Sequence, residues 1–161
     1  MADGNGVVVQ ISQGISLRVD IGPDAPVYSA AQMKLANLKG GAQASVRTRA
    51  PQAAGENQLA AEVISNASTV IAPLPGANVN GVIKLIDMTE KQPVIVIIEG
   101  ASVRRLTVTD ETSFWRLQLS ALNNVKVGDS ISVLVSRDKS GAASAQRVVF
   151  GSPPPGAMLP L

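Results

Sequence analysis

Asn37-Leu38-Lys39-Gly40-Gly41-Ala42-Gln43-Ala44-Ser45-Val46 and Asn124-Val125-Lys126-Val127-Gly128-Asp129-Ser130-Ile131-Ser132-Val133 are two versions of one phrase. Five of the ten positions are identical: the Asn, the Lys, one Gly, the Ser and the Val. Gly6-Val7-Val8-Val9 opens the stretch before the first copy, and Gly81-Val82-Ile83-Lys84 opens the stretch before the second. An internal repeat predicts two related units, about 6–65 and 80–150, with Gly41 and Gly128 in equivalent turns. Units this short are near the lower size limit for a self-sufficient core, so we expect them to pack together.

Outward from the second copy, short β-branched runs are bounded by turn residues. Val82–Ile86, Val94–Ile98, Val103–Val108, Ser130–Val135 and Ala145–Phe150 read as five strands, with turns at Gly81, Lys91-Gln92-Pro93, Glu99-Gly100-Ala101 and Gly128-Asp129. The first half follows the same order in Val7–Ile11, Ile15–Ile21, Ala42–Thr48 and Leu59–Ile64, with Pro26-Val27-Tyr28 a short third strand at best. Ser29–Leu38 is Ala-rich, and Ser29 with Gln32 makes a capping box, so a helix is expected there. Its counterpart, Ser113–Leu122, fits a strand by alternation of Trp115, Leu117 and Leu119, and fits a helix by the spacing of Trp115, Leu119 and Leu122. The plan is therefore all-β with minor α. It has an N-terminal β-rich unit with one short helix (1–65), a linker (66–80) in which Val70-Ile71 adds an edge strand, a second barrel unit (81–150) and a proline-rich arm (151–161).

Three strands, a helix or short segment and two strands is the order of the OB-fold, a five-stranded partly open barrel. Gly81-Val82-Ile83, Leu106-Thr107-Val108-Thr109, Val125-Lys126-Val127-Gly128-Asp129-Ser130-Ile131 and Ala145-Gln146-Arg147-Val148 resemble a bacterial family of small OB-like β-barrel domains of uncharacterised function. The resemblance covers 81–150 and extends weakly to 6–65, where Gly41-Ala42 replaces Gly-Asp. These are turn and core positions, so the resemblance implies tandem OB-like barrels and no activity.

Composition excludes more than it offers. There is no Cys and no His, which removes disulfides, thiolate zinc sites and the commonest general base. The formal net charge is +2, from 14 basic and 12 acidic residues, far from the concentrated basic footprint of a dedicated nucleic-acid binder. No Gly-x-Ser-x-Gly signature is present, and the densest acids, Asp87-Met88-Thr89-Glu90 and Asp110-Glu111, suit turns and caps rather than a Ca²⁺ loop. Asn66-Ala67-Ser68 matches a glycosylation triplet with no secretion signal beside it. No enzyme activity, cofactor or metal is expected. No apolar run is long enough to span a membrane. The N-terminus has no secretory pattern, so a virion or cytoplasmic location is expected, and an envelope location only if a leader has been removed.

Two residue sets remain as candidate sites. Pro153, Pro154, Pro155, Met158, Leu159 and Leu161 form an arm too proline-rich to join its own sheet and too apolar for a solubilising tail. An extended arm loses little entropy on docking, which predicts burial of its apolar side chains on a partner chain. Lys84, Arg104, Arg105 and Arg116, with Arg147, could instead line one barrel face beside Trp115. With only Tyr28, Phe114, Trp115 and Phe150 as aromatics, that face offers few stacking platforms, and nucleic acid is an improbable partner. The leading expectation is a non-enzymatic structural subunit of a large assembly of other protein chains, such as a capsid-decorating or tail-associated bacteriophage component. The alternatives are an OB-like module for single-stranded nucleic acid or glycan, and an envelope or surface-filament protein.

Overall fold

A computed structural model describes residues 6–49, 58–67 and 76–161 of the chain. It is all-β: the described residues form eleven strands and two single 3-10 turns, Leu35–Asn37 and Leu122–Asn124. The expected edge strand at Val70-Ile71 lies outside the described residues.

The chain divides into two compact units, but these are not the two halves of the repeat. Met1–Ala30 joins Leu119–Leu159 and Leu161 in a terminal unit, while Ala31–Gln118 and Pro160 form a central one. Tandem units at 1–65 and 81–150 are thereby replaced by an exchange, in which each repeat gives its last two strands to the other's first strands. The reason lies in two parallel ladders. In the terminal unit, β1 (Gly6–Ser12) and β2 (Ile15–Asp20) make an antiparallel hairpin, and β3 (Val27–Met33) starts here. In the central unit, β4 (Gln43–Thr48) and β5 (Gln58–Ala67) are antiparallel. There β5 runs parallel to β8 (Ser102–Thr107), and then to β9 (Ser113–Leu119) from Val63↔Ser113 to Ala67↔Leu117. Back in the terminal unit, β11 (Ala143–Gly151) does the same, first to β2 at Ser144↔Asp20 and then to β3 from Val148↔Val27 to Phe150↔Ser29. Its other edge is taken antiparallel by β10 (Ser130–Arg137).

These ladders also fix the repeat register. The β1–β2 hairpin, turning at Gly14 (φ 80°), corresponds to β7 (Val94–Glu99) with β8, turning at Gly100 (φ 59°). The match of Gly6-Val7 with Gly81-Val82 therefore gives way: β6 (Val79–Asp87), which carries Gly81, has no counterpart among the described residues of the first repeat. It pairs with both β4 and β7, so the central ladders β4-β6-β7-β8-β5-β4 close in a ring. Gly81 is required in β6 because a Cβ there would strike the carbonyl of Ile98 on β7. Gly41 (φ 83°) and Gly128 (φ 100°) do fall in equivalent turns, each between its 3-10 turn and the strand that follows.

The helix expected over Ser29–Leu38 is not formed. Its first half continues β3, because Ser29 pairs with Phe150 and the neighbours Val27, Tyr28 and Ala30 are buried. Ladder pairing and burial outweigh the helix propensity of three alanines, leaving only the turn Leu35–Asn37. The stretch that fitted both patterns, Ser113–Leu122, is a strand to Leu119.

Each unit has its own core. Val46, Ile83, Ile95, Ile97 and Leu106, all fully buried, centre the central one, with Phe114 against them. Val19, Val27, Val148 and Phe150 hold the terminal one. After Gly151, where a Cβ would strike the carbonyl of Ala30, the arm turns back on its own chain. Leu159 (8% exposed) and Pro160 are buried, while Met158 is left 85% exposed. Leu159 is thus covered within the chain and drops out as an expected contact for a partner, while Met158 is exposed and Leu161 half-buried. Among the described residues, no helix is long and apolar enough to cross a membrane.

Candidate functional site

The basic face expected around Trp115 is not assembled. Trp115 is 1% exposed and offers no ring to a ligand. A strand should turn one of Phe114 and Trp115 outward, yet both are buried, Phe114 in the central core and Trp115 on the opposite face of β9. Tyr28 and Phe150 are buried as well, so none of the four aromatics presents a stacking surface. Arg104 pairs with Glu99 at 3.4 Å and Arg105 with Glu90 at 2.7 Å, which neutralises the two adjacent cations. Arg147 belongs to the terminal unit and is 5% exposed, with its guanidinium 5.5 Å from the centre of the Tyr28 ring. Burial lowers its pKa below the ordinary arginine value, with the Tyr28 charge opposing that shift. Lys84 is exposed on β6 and makes no ion pair among the described residues.

Arg116 is the residue of that set that the fold gives a setting. On β9, alternation puts Phe114, Arg116 and Gln118 on one face of the strand. That face begins in the central core at Phe114 and turns polar at Arg116. The ladder with β5 places Asn66 directly opposite Arg116. The third side is the loop out of the first 3-10 turn. Leu38, 6% exposed, anchors it in the core and leaves Asn37 and Lys39 on either side exposed. Asn37 Oδ1 accepts the Lys34 backbone N–H at 3.3 Å. The Gly41 N–H donates to the Ile83 carbonyl at 2.7 Å and the Ile83 N–H to the Ala42 carbonyl at 2.9 Å, strapping the loop to β6.

Between these elements is a pocket of about 260 Å³, with Asn37, Lys39, Gln43, Asn66, Arg116 and Gln118 among its walls. Among the described residues, no carboxylate lines it. Neither Lys39 nor Arg116 enters an ion pair among the described residues. The Asn66 Nδ2 is buried with no hydrogen-bond partner among the described residues, which also withdraws the nitrogen that a glycosylation triplet would need exposed. A wider groove continues past Arg116 along Gln32, Met33 and Lys34. The arrangement can offer hydrogen bonds from guanidinium, ammonium and carboxamide groups. Sequence reasoning reached Arg116 but missed Asn37, Lys39, Gln43, Asn66 and Gln118. The available signal was the polar alternation Arg116-x-Gln118 together with the Asn and Lys of the repeated phrase.

The acids act locally. Asp87 Oδ1 accepts the backbone N–H of Thr89 at 2.9 Å and its hydroxyl at 2.6 Å, bonds that lower its pKa. Glu111 pairs with Arg49. Among the described residues no three His, Cys, Asp or Glu side chains come together as metal ligands would.

No protein-family model matches the chain, and no curated protein or solved structure was found similar to it. The resemblance of 81–150 to small bacterial OB-like domains therefore rests on its turn and core residues alone.

Proposed function

We propose that this chain is a non-enzymatic structural subunit of a larger protein assembly, of the kind that decorates a bacteriophage capsid or joins its tail. The observation that carries this reading is the arm. Leu159 and Pro160 are buried while the Met158 between them and the prolines stands 85% exposed, so an apolar side chain is presented beside buried neighbours. Buried neighbours lower the ordering cost that a free tail would meet on docking. A second apolar surface adds to it: Val82, Ile98 and Val103 are neighbours across β6, β7 and β8, with Ile98 and Val103 exposed. The absence of His and Cys from the sequence, and the engagement of Arg104 and Arg105 by acids, favour contact over catalysis.

Mass photometry and sedimentation of the full chain test the reading. Species heavier than one chain are expected, and Met158→Ser together with Val103→Ser should shift them toward the monomer with melting unchanged. A strict monomer at every concentration, identical in both variants, removes the self-assembling form of the proposal.

A further inference from the structure

We infer that the pocket between Asn66, Arg116 and Lys39 is a binding site for an anionic sugar, one ring bearing a carboxylate or a phosphate. Its walls carry the two kinds of donor such a ligand needs. Arg116 and Lys39, with no carboxylate among the described residues of the pocket, suit the charged group, which a guanidinium grips in a planar fork. The carboxamides of Asn37, Gln43, Asn66 and Gln118 both donate and accept, as hydroxyl groups require. The volume of about 260 Å³ suits one ring rather than a stretch of polymer.

Asn66 supplies an independent reason. A buried amide nitrogen without a partner is unfavourable because it has given up water for nothing, and a ligand oxygen would satisfy it. The fold does not force that cost, because the same ladder position in the terminal unit is solved otherwise. There Phe150 faces Ser29 where the central unit has Asn66 facing Arg116, and Phe150 belongs to the terminal core. The chain thus carries a filled and an unfilled version of one site, and only the unfilled one is lined with donors.

The test uses the full chain and calorimetry with glucuronate, glucose 6-phosphate, glucose and inorganic phosphate. Both anionic sugars should bind with Kd near or below roughly 1 mM, and glucose and phosphate much more weakly. Arg116→Ser, which installs the terminal unit's residue, should weaken binding roughly tenfold to a hundredfold. Asn66→Phe should abolish it, and Lys91→Ser, outside the pocket, should leave it unchanged. Should Asn66→Phe fail to fold, Arg116→Ser alone decides the location. Equal binding of glucose removes the anion, equal binding of phosphate removes the sugar, and an unaffected Arg116→Ser removes the site. A uronate oligosaccharide distinguishes the source: affinity at least equal to that of glucuronate assigns the end of an anionic polysaccharide, and weaker affinity assigns the free sugar. Both sources keep the site.

Discussion

At one ladder position the two units made opposite choices. In the terminal unit the pair is Phe150 with Ser29, and in the central unit it is Asn66 with Arg116. The backbone setting is shared: a parallel run between the last strand of one repeat and the third strand of the other. The side chains decide whether that setting becomes core or pocket. Among the described residues, the central unit also closes its ladders through β6, for which the first repeat has no equivalent, whereas β1 and β10 do not pair. A unit closed by a ring of ladders can leave one position unfilled, while the terminal unit takes a large apolar group there.

That contrast predicts unequal consequences of exchanging the residues, and the largest effect is expected at Phe150. Phe150→Asn removes a 7% exposed ring from the terminal core and leaves an amide in its place. The lost packing and the buried polar group together should cost about 4 kcal/mol or more. Asn66→Phe, the reverse exchange, should cost far less, because it removes an unpartnered amide and enters open space. Urea melts of both variants provide the check. Equal losses would mean that the two positions are alike and that the pocket is no more than loose packing.

Much of this contrast was legible in the sequence, and the missing part has a physical cause. The strands were readable because Val94–Glu99 and Ser130–Arg137 carry their β-branched runs between turn residues. The equivalence of Gly41 and Gly128 was readable because both turns need a positive φ, which glycine meets at little cost. The exchange was not readable. Pairing Val148 with Val27 or Val63 with Ser113 joins residues far apart in sequence, and local pattern carries no record of partner choice. The same blindness turned Ser29–Leu38 into a helix on paper, since the partner that makes it a strand, β11, comes at the other end of the chain. Asn66 escaped notice for that reason too: alone it is one more polar residue, and only the ladder puts it opposite Arg116.

The two turns sharpen the comparison from the opposite side, since here the units should respond alike. A Cβ at Gly41 or Gly128 would meet nothing within 4 Å, so Gly41→Ala and Gly128→Ala test backbone conformation without a clash. Each should lose about 1 kcal/mol, with Gly128→Ala losing at least as much because its φ of 100° is further from the left-handed helical well than 83°. Gly22→Ala, also in open space and without a positive φ, should be nearly neutral. A neutral result at one of the two turns would break the equivalence of the repeats.

The smallest effect is local to the terminal unit, in the loop joining β10 and β11. Asp138 Oδ1 accepts the Ser140 hydroxyl, the Ser140 backbone N–H at 2.8 Å and the Ala142 backbone N–H at 3.0 Å. These bonds favour the carboxylate, with the Ser140 hydroxyl the largest contributor, and they hold the pKa below the ordinary aspartate value of 3.8. A folded-state pKa lying below the unfolded one places the stabilising contribution above the ordinary value, and it is lost as the pH falls through the depressed one. The β10–β11 hairpin should therefore keep its loop at mildly acidic pH and open it only below that range. An NMR titration reads this directly, since the Ser140 and Ala142 amides should move together with a midpoint under 3.8. In Asp138→Asn the acid transition should vanish, and those amides should report the loosened loop at neutral pH. A midpoint for Asp138 at or above 3.8 would show that the loop bonds do not persist in solution.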